Sequence, residues 1–157
     1  MKKTKTTLLF LRRNDEILLA MKKRGHGDGK WNGAGGKIEP GETIERAMIR
    51  ETKEEIGVTP IDYNQVAEIS FVQYDKEELE AVRMSVFIAT KWTGEPTESE
   101  EMAPKWFKID EIPYDHMFAD DKYWLPRVLD GQTLKARFKF DKNWTMEDYE
   151  IKEVDSF

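Results

Sequence analysis

Apolar residues along this chain come in short blocks whose period changes, and each change marks a new element. Thr6 to Arg12 is β-prone and apolar, which predicts a central strand. Arg13-Asn14-Asp15-Glu16 supplies turn residues and Ile17 to Met21 a returning strand, so the two should form a β-hairpin. Gly25 to Gly36 is glycine-rich and reads as a shaped loop, and Pro40-Gly41 is a turn. From Glu42 the period lengthens. Ile44, Ala47 and Met48 recur at offsets of three and four, and Thr52 continues the stripe, which predicts a helix with these residues on one face. Thr43 is the candidate N-cap, with no capping box because Arg46 follows at the third position. Gly57 stands where a helix C-cap glycine belongs.

Beyond the helix, Val66 to Tyr74 and Val82 to Trp92 are β-rich, separated by the charged loop Asp75 to Glu80. Lys105 to Ile109 is a short strand. Asp120 to Leu129 reads as a second helix, ended by Asp130-Gly131. Leu134 to Phe140 alternates apolar and basic residues, as a half-exposed strand does. Trp144 to Val154 closes the chain as a last strand or two. The order is that of one α+β domain over residues 1–157, with helices covering a mixed sheet.

Composition narrows the function. The 157 residues carry a net charge of -6, which argues against a nucleic-acid polymer as partner. There is no Cys, so disulfides, zinc-thiolate sites and thiol nucleophiles are out, and the two histidines, His26 and His116, are too few for a His-rich metal site. No apolar run approaches the ~18 residues of a membrane span, and Thr6 to Leu11 is too short for a signal peptide. A cytoplasmic monomer that stays off membranes is the expectation.

One cluster then changes the picture. Glu51, Glu54 and Glu55 stand at helical offsets of three and four, which stacks three carboxylates on one face. Such charges repel unless a cation lies between them, and oxygen-only ligands suit a hard divalent ion, Mg²⁺ or Mn²⁺ in its place. The chemistry this points to is metal-assisted attack on a phosphate ester or anhydride.

The stretch Gly36, five residues, Glu42, seven residues, Arg50-Glu51, then Glu54-Glu55, Gly57 and Val58 resembles the Nudix box of Nudix hydrolases. Thr52 alone departs, standing where the pattern usually has an aliphatic residue. Met21-Lys22-Lys23-Arg24-Gly25, Trp31-Asn32-Gly33, Glu42-Thr43-Ile44-Glu45, Asp120-Asp121 followed by Tyr123-Trp124, and Glu153-Val154-Asp155 extend the likeness to the whole chain. These words resemble one branch, the MutT-homologue oxidised-purine nucleoside triphosphatases of the mammalian type. The fold implied is the Nudix α/β/α sandwich with a mixed central sheet.

The resemblance also implies roles. Metal would be held by Glu51, Glu54, Glu55, the Gly36 carbonyl and, from a distant loop, Glu101. Arg50 would hold a glutamate in position, and Glu42 would support the loop and helix. The general base stays open among Glu55, Glu54 and Glu101. Lys22 would contact the triphosphate. Asn32 and the pair Asp120-Asp121 would read the base, the latter by shifting a proton between them. Thr7, Leu8, Phe71, Met102, Phe118 and Trp124 would line the purine pocket. His26 and Ala34 stand where the mammalian relatives carry Phe, and Phe118 where they carry Trp, so a roomier pocket is expected. Trp31, Trp92 and Trp106 are read as packing residues.

The activity implied is Mg²⁺-dependent hydrolysis of an oxidised purine nucleotide such as 8-oxo-dGTP, or 2-hydroxy-dATP, to monophosphate and pyrophosphate. Its role would be to cleanse the nucleotide pool. The alternatives are a Nudix hydrolase of sugar nucleotides, dinucleoside polyphosphates or capped RNA ends, and a domain that binds a nucleotide without hydrolysing it.

Overall fold

The computed structural model describes residues 1–157. Nine strands and two helices follow in the order β1 (Lys2–Arg13), β2 (Glu16–Lys22), β3 (Trp31–Asn32), β4 (Ala34–Lys37), α1 (Ile44–Ile56), β5 (Thr59–Asp75), β6 (Glu78–Thr93), β7 (Met102–Lys108), α2 (Asp121–Leu129), β8 (Leu134–Phe140) and β9 (Met146–Glu153). The main path through the sheet is β3-β2-β1-β6-β5-β8-β9, with β4 paired to β1 and β7 to β2. Parallel pairing joins β1 to β6 and β5 to β8, and the other pairs are antiparallel. The mixed sheet expected from the sequence is therefore present.

β1 explains why its apolar run is continuous rather than alternating. Leu8 and Phe10 enter the core under α2, while Leu9 and Leu11 enter the core under α1. All four are at most 4% exposed. A strand covered on both faces has no polar side to show. Burying each such side chain stabilises the fold by about 1.5–3 kcal/mol. β2 repeats the division, with Ile17 and Leu19 on one side and Leu18 and Ala20 on the other.

Helix α1 begins and ends as its caps dictate. Thr43 Oγ1 accepts from the Arg46 N–H, and Gly57 takes the left-handed conformation (φ 73°) with its N–H on the Lys53 carbonyl. Ala47, Met48 and Thr52 are buried as expected. Ile44 is not. It is 40% exposed, because the first turn overhangs a shallow groove beside Tyr63 and Phe157. Thr52 is fully buried without cost to its hydroxyl, which donates to the Met48 carbonyl one turn back at 2.7 Å.

Three element expectations need correction. The second half of the glycine-rich segment is strand, since β3 and β4 pair with β2 and β1. The charged loop Asp75 to Glu80 shrinks to a tight turn around Lys76 (φ 59°), because cross-strand pairing runs out to Asp75↔Glu78. Trp144 lies in the β8–β9 turn (φ 61°) and not in a strand. No helix is long and apolar enough to cross a membrane.

Candidate active site

Arg50 organises the acidic end of the site. Its guanidinium forks onto Glu42 through two hydrogen bonds of 2.7 and 2.8 Å, reaches Glu51 at 2.9 Å and Glu54 at 3.3 Å, and donates to the Lys37 carbonyl. The fork onto Glu42, helped by the Glu39 N–H, pulls the Glu42 carboxyl down to about 2. Glu42 thus braces the turn before α1 and the Arg50 side chain at once.

The carboxylates differ by environment. Burial raises the Glu51 pKa, with Arg50 opposing and the charges of Glu54 and Glu101 adding to the rise. Glu55 is only 6% exposed and takes the Gly35 N–H at 2.6 Å. Burial pushes it up to about 7, the Gly35 bond opposing and Glu51 and Glu101 contributing. Glu54 and Glu101 are exposed. Both glycines allow close approach, Gly35 against rigid backbone and Gly36 against the end of a side chain. A Cβ on Gly36 would sit 2.5 Å from the Glu51 carboxyl carbon, and one on Gly35 would collide with the Thr7 carbonyl.

As arranged, these acids do not form an ion-sized cluster. Arg50 draws Glu51 and Glu54, Gly35 holds Glu55, and Arg24 lies 3.5 Å from Glu101. The donor chemistry nonetheless fits a hard cation. It is all oxygen, and two carboxyls whose pKa is raised by burial lie where added positive charge would relieve them.

From Glu55 and Gly36 one cavity of about 570 Å³ runs to Asp120 and Asp121. Nine of the ten predicted substrate contacts line it: Thr7, Leu8, Lys22, Asn32, Phe71, Met102, Phe118, Asp120 and Asp121. Of the cluster Lys22-Lys23-Arg24, Lys23 pairs with Glu98 and the Ser99 carbonyl, and Arg24 with Glu100 and Glu101. Both are thereby tied to the loop before β7, and Lys22 is the one that faces the cavity. Asn32 Oδ1 accepts from the Gly33 N–H at 2.9 Å, which leaves the amide nitrogen as donor.

Trp124 is the tenth, and it is corrected. It is fully buried in the core and does not line the cavity. Its indole N–H instead donates to Asp120 Oδ2 at 2.9 Å. Asp120 precedes α2 but caps nothing. Burial raises Asp120 to about 6, against the Trp124 bond, and raises Asp121 well above the usual range, with the Asp120 charge adding to it. Asp121 Oδ2 and Thr7 Oγ1 are buried without a partner in the protein. A carboxyl kept protonated here can donate a hydrogen bond where an ionised neighbour can only accept.

A family model for the NUDIX domain matches residues 2–128. The chain belongs to the Nudix family. It is 44% identical over 151 residues to the oxidized purine nucleoside triphosphate hydrolase of Mus musculus, covering 96% of each chain. It is 42% identical to the protein of that description from Danio rerio, covering 95% of this chain and 94% of the relative. Among solved structures it resembles the mMutator MutT protein of Bacillus halodurans, with a TM-score of 0.82, 28% identity, and 95% and 97% of the two chains covered.

Within this Nudix fold, the roomier pocket is corrected in part. Ala34 packs under α1 with Met48 and Leu9, away from the cavity. His26 does line it, packed at a tilt of 36° between Phe118 at 5.5 Å and Trp144 at 4.6 Å. Trp144 thus fills space on that side. It went unread in the sequence because only the β8–β9 turn brings it there; Lys30 and Gln73, which also line the cavity, went unread too.

Proposed function

We propose that this Nudix protein is a Mg²⁺-dependent pyrophosphohydrolase of oxidised purine nucleoside triphosphates, 8-oxo-dGTP being the type substrate. Its products would be the nucleoside monophosphate and pyrophosphate, and its role to keep damaged nucleotides out of DNA synthesis. The observation that carries this reading is the single cavity joining the Glu55–Gly36–Lys22 end to the buried Asp120–Asp121 pair. The near full-length likeness to oxidised-purine hydrolases agrees with it.

Glu51, Glu54, Glu55, Glu101 and the Gly36 carbonyl would hold the ion. When bound, Mg²⁺ supplies charge neutralisation at the phosphate oxygens and a more acidic water. Lys22 binds the phosphate chain. Arg50 holds a glutamate of this group in position through its ion pair. The water that adds across the α–β anhydride gives its proton to a carboxylate of this group. At the other end, Phe71 and Phe118 pack against the base, Asn32 donates, and the aspartate pair donates and accepts.

Initial rates with Mg²⁺ on 8-oxo-dGTP, 2-hydroxy-dATP, dGTP, dATP, a sugar nucleotide and a dinucleoside polyphosphate test this, with Glu54→Gln as control. Preference for the oxidised purines, lost in the control, is expected. Equal rates on ordinary purines, or activity only on the last two substrates, would discard the sanitising role.

A further inference from the structure

One polar side chain in the cavity has no task in the reading above. Gln73, on β5, lines the base end with Phe71, Val82 and Trp144. Its amide is held in one orientation. Nε2 donates to Glu80 Oε1 at 3.1 Å, while Glu80 Oε2 accepts from Thr4 Oγ1 at 2.6 Å and lies 3.8 Å from the Lys2 ammonium. Glu80 is only 6% exposed, so water does little to screen it. A carboxylate accepts and does not donate, and turning the amide over would set two acceptors against each other there. The Gln73 carbonyl oxygen is therefore free and fixed in place as an acceptor for a ligand, with the second amide N–H beside it.

We propose that Gln73 is a specificity-determining residue that offers this fixed acceptor to a hydrogen-bond donor of the bound nucleoside, with Glu80 as the positioning residue that holds it. The proposal rests on the substrate reading above. Two donors of such a nucleoside match. One is the imidazole-ring N–H that oxidation at C8 creates, where an ordinary purine carries a lone pair that the oxygen would repel. The other is the sugar 3′-hydroxyl.

The test compares kcat/KM of the full chain and Gln73→Leu, with Mg²⁺, on 8-oxo-dGTP, dGTP and the 3′-deoxy form of 8-oxo-dGTP. On 8-oxo-dGTP a loss of about three- to tenfold is expected, carried mainly by KM. A loss shared by the 3′-deoxy form but not by dGTP assigns the ring N–H. A loss shared by dGTP but not by the 3′-deoxy form assigns the hydroxyl. Glu80→Gln, which lets the Gln73 amide turn, should give the same pattern more weakly, with melting temperatures recorded for both variants. Equal losses on all three substrates, or none, would overturn the role of Gln73. If the parent chain itself hydrolyses none of them or prefers dGTP, the substrate reading fails and takes this proposal with it.

Discussion

Replacing Trp124 by Phe isolates what a core residue does for the site. The ring stays apolar and buried, but the N–H that Asp120 Oδ2 accepts at 2.9 Å is gone. Asp120 is only 4% exposed, so bulk solvent does little to replace the lost donor. A hydrogen bond to a charged group contributes about 1.5–3 kcal/mol. At 1.36 kcal/mol per pH unit, the apparent titration of the aspartate pair should rise by about one to two units. The sign for stability follows. Asp120 already titrates at about 6, above the usual 3.8. Its contribution is complete below the unfolded value and lost as pH rises through the folded one. Trp124→Phe should therefore cost least in acid and most above neutrality, where Asp120 must ionise without its donor. Urea unfolding across that pH range measures the cost, and ¹³C NMR of the aspartate carboxyls gives the midpoint. The pH profile of kcat/KM on 8-oxo-dGTP should move the same way. An unchanged midpoint with a pH-independent loss of stability would refute the reasoning and leave Trp124 as core alone.

Arg50→Lys keeps the charge but loses the fork onto Glu42 and the bond to Glu51, so Mg²⁺ titration of activity should show about 10–100-fold weaker metal affinity. Gly35→Ala forces a methyl group onto the Thr7 carbonyl of β1, and a rigid backbone cannot yield; denaturant unfolding should show a loss of about 1–3 kcal/mol or more. Thr52→Val removes only a hydroxyl bonded one turn back, so the melting curve should show a change within about 1 kcal/mol of either sign and activity should be kept.

How far the sequence could be read depended on the range of the interaction. The helix α1 was legible because its stripe, its Thr43 cap and its Gly57 cap are all set by neighbours within a turn or two. Helical periodicity likewise puts Glu51, Glu54 and Glu55 on one side of α1, but their burial and their partners differ, which spacing does not reveal. β1 and β2 were legible because a strand buried on both faces leaves a continuous apolar run. The substrate contacts were named by resemblance to a family, and nine of those ten residues do share one cavity.

What the chain pattern could not decide is which partner each side chain meets. Trp124 and Phe118 look alike in sequence, but one helix face sends Trp124 into the core and onto Asp120 while Phe118 stays at the cavity. Ala34 and His26 were both expected to open the cavity, yet Ala34 packs under α1 and only His26 lines the cavity. The raised pKa of Glu55 and of the aspartate pair comes from desolvation by residues far away in the chain. Gln73 acquires its single free acceptor from Glu80 across a strand turn and from Thr4 and Lys2 at the start of the chain. Local spacing thus determined the helix, its caps and its row of acids. Burial, orientation and proton affinity were decided by tertiary packing, because each depends on atoms that only the folded sheet brings within a few ångströms.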